Sequence, residues 1–237
     1  MQITSSENYQ AMSRLAAELV REEVLKKPDL LLCAATGSSP AGLYKELGES
    51  VHLHPGLFDR MRVIKLDEWG GVPAFHPVTC EYFLRKRLLE PLSVPEERYY
   101  TFPSDPEDPE LECAQIRSTL QKEGPIDLCI LGLGKNGHLG LNEPATHLEA
   151  YCHVAKLSEL SLEHDMIASM EVKPSYGITL GMEEILDARR IIFLVTGKGK
   201  KKVMQKLMNK KVHSELPASF LWEHPQVNCF MDLAGLD

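Results

Sequence analysis

Apolar positions fall into short unbroken runs, separated by stretches in which they recur every three or four residues. Leu30–Ala35, Arg62–Leu66, Ile126–Leu131, Gly177–Leu180, Arg190–Val195 and Val227–Met231 read as strands. Between the runs the period is helical. Met12, Leu15, Ala16, Leu19 and Val20 share one face of a helix that Ser6 can cap and that ends before Pro28. Ser39 followed by Pro40 predicts a second helix start, with Leu43, Tyr44 and Leu47 on one side and Gly48 as the stop. Further helices are expected over Thr79–Leu89 and Leu111–Lys122 (the second after a polar turn at Pro103–Pro109), over Met182–Leu186, and in a Lys-rich segment from about Lys198. Strands apolar along their whole length are buried on both faces. The expected fold is therefore α/β: three layers, a mostly parallel sheet with helices on both faces, Rossmann-like. No repeat, low-complexity tract or linker interrupts the series, so residues 1–237 are expected to form a single domain.

Ligands of such folds gather beyond the carboxyl ends of the strands, and four polar clusters stand there. Ala35-Thr36-Gly37-Ser38-Ser39-Pro40 leads into a helix, offering hydroxyls and unpaired amides to an anion. It lacks the glycines and lysine of a Walker loop or dinucleotide fingerprint, and an N-cap with a turn would also explain it. Lys65-Leu66-Asp67-Glu68-Trp69-Gly70 sets two carboxylates side by side, a repulsion that raises at least one pKa and suits a proton shuttle. A solvated acidic turn is the plainer alternative. From Gly132 to Pro144, four glycines in nine residues frame His138, with Asn136 and Glu143 nearby, an arrangement suited to a held general acid or base. His147, His153 and His164 lack such a frame and read as surface or packing residues. Thr196-Gly197-Lys198-Gly199-Lys200-Lys201-Lys202 concentrates positive charge. Lys198 or Lys200 could reach a phosphate, while Lys201 and Lys202 read as a solvated helix face. Together the clusters fit acid–base chemistry on a small phosphorylated substrate.

Composition narrows the classes. With 34 acidic against 26 basic residues the net charge is −8, which disfavours nucleic acid and anionic membranes while leaving room for a local phosphate pocket. The apolar runs are far shorter than the ~20 residues of a membrane span. Met1–Gln10 is polar and without an apolar signal core, so a cytoplasmic location is expected. The six cysteines form no C-x-x-C pair, and no Cys/His spacing suggests a metal cluster. Structural thiols and no bound metal are expected.

Taken in order along nearly the whole chain, these segments resemble the glucosamine-6-phosphate deaminase/6-phosphogluconolactonase superfamily. Lys-Leu-Asp-Glu-Trp at 65–69, Gly-Leu-Gly-Lys-Asn-Gly-His-Leu-Gly-Leu-Asn-Glu-Pro at 132–144 and Ile-Thr-Leu-Gly at 178–181 are most similar to its galactosamine-6-phosphate deaminase/isomerase branch. The resemblance implies a sugar-phosphate isomerase type of fold and a cofactor-independent aldose–ketose isomerisation with loss of ammonia. Thr36, Gly37, Ser38 and Ser39 would bind phosphate together with Lys200. Asp67 would be the base that moves the C1 and C2 protons, and His138 the ring-opening group with Glu143 as its carboxylate partner. Gly132 would line the sugar site, and Asn136 would orient the imidazole. Asn136 stands where the glucosamine enzymes typically carry Asp, which agrees with the galactosamine branch. The Ser158–Lys173 segment, where glucosamine enzymes place a phosphate-binding arginine, contains none, leaving either Lys173 as a substitute or a looser grip on the phosphate. The 6-phosphogluconolactonases usually carry Arg after the Asp-Glu pair, where this chain has Trp69. The rival functions are thus a glucosamine-6-phosphate deaminase, then a lactonase, then a non-catalytic sugar-phosphate sensor. The oligomeric state is left open, a homo-oligomer included.

Overall fold

The computed structural model describes residues 1–164, 166–168, 170–171 and 173–236. Among these, seven parallel strands form the central sheet: β1 (Gln2–Ser6), β2 (Leu31–Ala34), β3 (Arg62–Lys65), β5 (Tyr99–Tyr100), β6 (Leu128–Gly132), β9 (Arg190–Val195) and β10 (Val227–Asp232). Their spatial order is β1-β10-β9-β6-β2-β3-β5. The order reverses between β2 and β6, which run parallel with Cys33 opposite Cys129. Loops leaving two such neighbours diverge and open a crevice at their carboxyl ends.

Side chains alternate across each strand, so each central strand feeds two cores. Leu31, Cys33, Ile64, Leu131 and Phe193 pack on α4 (Pro109–Glu123), α6 (Met182–Leu186) and α7 (Lys201–Leu207). Leu32, Ala34, Val63, Ile130 and Leu194 pack on the other side against α1 (Tyr9–Lys26), α2 (Ser38–Ser50) and α3 (Cys80–Leu84), which continues as a π-helical turn over Arg85–Leu89. Each such aliphatic side chain stabilises the fold by ~1.5–3 kcal/mol when fully buried. The three expected layers are present.

A second sheet departs from the expectation. β4 (Asp67–Gly70), β8 (Tyr176–Thr179) and β7 (His153–Ala155) form an antiparallel sheet in the order β4-β8-β7. The Asp67–Gly70 segment, expected as a loop, is thus a strand, and Gly177–Leu180 serves this small sheet rather than the large one. Leu66 alone links β3 to β4, and Trp69, Leu141, Ala155 and Ile167 pack beneath the small sheet. Other differences are local. β1 escapes the hydrophobic pattern because it is an edge strand, and Ser6 ends it by pairing with Asp232. The α1 cap is instead Asn8, whose side chain accepts the Ala11 N–H. α2 starts one residue early, at Ser38, and runs past Gly48 to Ser50; α7 starts at Lys201. The cysteines are free, and all but Cys152 are buried. Among the described residues, no helix is long and apolar enough to cross a membrane.

Candidate active site

The four strand-end clusters converge on one cavity of about 440 Å³. Thr36, Gly37, Ser38, Ser39, Asp67, Gly132, His138 and Lys200 all line it. Asn136 and Glu143 lie behind His138 rather than in the wall.

The anion side is built on the start of α2. Gly37 precedes its first turn with φ +95°, a left-handed value that favours glycine, and no side chain caps the helix. No acidic residue occupies that first turn, so the positive end of the helix dipole faces the cavity unopposed from within α2. Tyr9 anchors the turn: its hydroxyl donates to Ser38 O at 2.6 Å and accepts the Gly42 N–H at 2.6 Å. Lys200 Nζ lies 3.5 Å from Ser39 Oγ, and Lys198 lines the same cavity. Lys201 and Lys202 are exposed outside it, as expected. The Thr36 hydroxyl, in the same wall, donates to Cys80 Sγ at 3.2 Å.

Facing this seat is Asp67, at the first position of β4 and 9% exposed. Burial, reinforced by the neighbouring Glu68 charge, pushes its carboxyl up to about 7, while His138 and Lys65 pull the other way. Glu68 itself points into the protein. Its Oε2 meets Lys65 Nζ at 2.9 Å, and its two oxygens accept the N–H groups of Trp69, Cys80 and Glu81, covering the start of α3. Burial opposes charge on Lys65, yet Glu68 and Glu81 more than offset it and hold the ammonium above its ordinary range. Of the adjacent pair, only Asp67 lines the cavity.

His138 is held by the loop after β6. Its N–H donates to Asn136 Oδ1 at 3.1 Å and its carbonyl accepts the Gly134 N–H at 3.2 Å. Gly140 (φ +58°) brings the returning chain against the small sheet, where a Cβ would lie 2.7 Å from Thr179 Oγ1 and 3.6 Å from Asp67 Oδ2. The same Thr179 oxygen accepts the Leu141 N–H, so one strand of the small sheet sets both Asp67 and the histidine loop. His138 Nδ1 stands 3.5 Å from Glu143 Oε2. Asn136 Nδ2 donates to that same oxygen at 2.7 Å, and Ser158 and Ser161 donate to the other. Burial resists ionisation of Glu143, but His138, Ser161 and Asn136 outweigh it and hold the carboxyl at about 2. Asn136 therefore orients the carboxylate and the histidine backbone, not the ring itself.

Residues outside the expected set complete the wall. Trp69, Lys135, Leu160, Ser161 and His164 line the cavity, and His164 sits 5.6 Å from the Trp69 ring, centroid to centroid. Of the two alternatives His164 takes the packing one, while also lining the cavity; His147 is exposed and His153 bonds Tyr151 O outside the cavity. Lys173 donates to Ile167 O and Ala168 O and does not line the cavity, so it is no substitute for the missing arginine. No spacing in residues 156–173 announces His164: among the described residues of that segment the one helix is the one-turn α5 (Glu159–Leu162). Among the described residues, no group of three or more His, Cys, Asp or Glu side chains converges where a metal ion could sit.

Fold and site define a class: doubly wound α/β proteins in which a glycine-led helix start, a carboxylate and an imidazole share the switch-point crevice. The chain belongs to the glucosamine-6-phosphate isomerase/6-phosphogluconolactonase family, whose model matches residues 4–230. It is 39% identical over 226 residues to the Escherichia coli (strain K12) protein named "Putative deaminase AgaI", covering 95% of this chain and 90% of that one. It is 33% identical over 238 residues to the glucosamine-6-phosphate deaminase of Geobacillus sp. (strain WCH70), covering 100% and 95%. A solved structure of a monomeric glucosamine-6-phosphate deaminase, described as a missing link of the NagB superfamily, superposes with a TM-score of 0.92 at 28% identity, covering 99% of this chain and 98% of that one. The 6-phosphogluconolactonase of Trypanosoma brucei, at 23% identity, shares the fold with a TM-score of 0.72, covering 100% and 95%.

Proposed function

We propose that this chain deaminates an amino-sugar 6-phosphate, galactosamine 6-phosphate, to the ketose tagatose 6-phosphate and ammonia. The observation that carries the reading is that Asp67 and His138 share one cavity with the Ser38–Ser39 turn and Lys200. With the phosphate at the α2 start, the sugar carbons extend toward the carboxylate and imidazole. His138 moves a proton between the anomeric hydroxyl and the ring oxygen, opening the sugar; Glu143, ionised behind Nδ1, steadies the ring through both transfers. Asp67 then takes the C2 proton and returns it to C1. A carboxyl near 7 suits both directions of that shuttle at neutral pH. The C1 carbonyl of the opened sugar takes up the electron pair left at C2, the C2 nitrogen forms its double bond as C1 is protonated, and water attacking the resulting C2 ketimine releases ammonia. Holding the remote phosphate positions the reacting carbons, a contribution to rate that needs no contact at the reacting bond.

Two sugars compete for the assignment, differing only at the C4 hydroxyl. Asn136 supports the galactosamine reading, since Asp typifies glucosamine enzymes at that position. The 33% identity to a protein named glucosamine-6-phosphate deaminase favours the other. Ammonia release from the two substrates, side by side, tests the choice, with 6-phosphogluconolactone hydrolysis as control. Faster turnover of glucosamine 6-phosphate overturns the galactosamine assignment. Binding of both without turnover makes the chain a sensor.

A further inference from the structure

We propose that His164 is a ligand of the substrate's phosphate, donating its Nε2–H to oxygens seated at the Gly37–Ser39 turn; this rests on the sugar-phosphate reading above. The ring lies in the cavity wall against Trp69, at an interplanar angle of 46°. Its Nδ1 accepts the Met166 backbone N–H at 3.3 Å. In a neutral imidazole an accepting Nδ1 leaves the proton on Nε2. That nitrogen is turned to the anion seat: a Cβ placed on Gly37 would lie 3.4 Å from it. The backbone that presents His164 is also fixed, its N–H donating to Ser161 O at 3.1 Å and its carbonyl accepting the Ile167 N–H at 2.9 Å.

The rest of the seat explains why a donor is needed there. Lys200 approaches Ser39, further along the turn, while the Thr36 hydroxyl is committed to Cys80 and Lys173 to two carbonyls. Among the described residues no arginine lines the cavity. Phosphate is a multidentate acceptor, and His164 adds a directional hydrogen bond beside Gly37 where Lys200 supplies charge beside Ser39. Trp69 sets the ring plane by contact, so the side chain loses little further freedom on binding.

His164→Phe keeps an aromatic ring on Trp69 and removes the donor. His164→Gln puts an amide nitrogen near the Nε2 position, and His164→Asn near Nδ1. The probes are inorganic phosphate, titrated calorimetrically, and galactosamine 6-phosphate turnover. A hydrogen bond to a charged group is worth about 10–100-fold in affinity. His164→Phe should weaken phosphate binding and raise KM by about that factor, with kcat changed far less and Tm close to the parent's. His164→Gln should recover most of the loss and His164→Asn should not. Parent-like phosphate affinity in His164→Phe, or equal affinities in the Gln and Asn variants, would overturn the assignment. The phosphate titration needs no turnover, so a parent enzyme that releases no ammonia defeats the deaminase reading while the His164 result still stands on its own.

Discussion

Asp67 and Glu68 are consecutive residues whose carboxylates occupy opposite faces of β4. One lines the cavity, and the other meets the fully buried ammonium of Lys65 at 2.9 Å. Strand alternation thus turns an acidic pair into two groups with separate duties. Asp67→Asn should lower the rate of ammonia release by about 10²–10⁴-fold while leaving KM within a small factor, because the amide fills the space but takes no proton. Parent-like turnover would remove Asp67 from the reaction.

The raised carboxyl of Asp67 has a pH signature. Its folded pKa, about 7, exceeds the ordinary 3.8, so the fold favours the protonated form. Stability is full below the unfolded value and declines as pH rises from about 4 to 7. Asp67→Asn should therefore melt above the parent at pH 8, with the gap closing toward pH 4. At about 2–4 °C per kcal/mol for a chain of this size, thermal melts will resolve it. A base that must be ionised also predicts that kcat/KM climbs with pH through about 7; a flat profile there contradicts the role.

Glu68→Gln should act on folding. It leaves the Lys65 ammonium with Glu81 and the Phe102 carbonyl in a site closed to water. Breaking a buried pair from one side costs about 3–5 kcal/mol. Urea unfolding should show that loss, and folded molecules should retain substrate affinity. A variant as stable as the parent would refute the structural role.

Glu143 is displaced in the opposite sense from Asp67. Its folded value, about 2, lies below the ordinary 4.5, so its ionisation stabilises the protein above pH 4.5 and that share is lost as pH falls from about 5 to 2. Glu143→Gln should flatten the acid limb of the stability curve. It should also reduce kcat through a mispositioned His138, an effect that open-chain substrate would partly relieve. An unchanged acid limb would show that Glu143 is not held ionised.

Lys200→Ala removes the charge beside Ser39. Substrate affinity should fall by about 10–100-fold with kcat much less affected. Unaltered KM would place the phosphate elsewhere.

The five inner strands of the large sheet and its helices were legible because strands buried on both faces are nearly uniform in apolar residues, and because Leu43, Tyr44 and Leu47 keep a clear helical period. The small sheet was not. Asp67-Glu68-Trp69-Gly70 carries side chains chosen for a cavity and a buried ion pair, not for an apolar face, so its strand character is tertiary. β1 and β5, at the two edges of the large sheet, stayed hidden for a related reason, since an edge strand needs no uniform apolar run. Of the site, the residues beyond strand ends announced themselves by glycine and charge. His164 did not: it meets Trp69 through the fold, from a segment far away in the chain with no shared spacing.

The single residue between β3 and β4 has a mechanical meaning. Leu66 donates its N–H to Ala34 O and accepts the Leu180 N–H, stitching itself to β2 on one side and to the end of β8 on the other. A linker so short and so doubly tethered carries no slack. The Asp67 oxygens are consequently surveyed into place by two independent layers. Distant substitutions that tilt either layer will register as a displaced Asp67 carboxylate long before they register as lost charge.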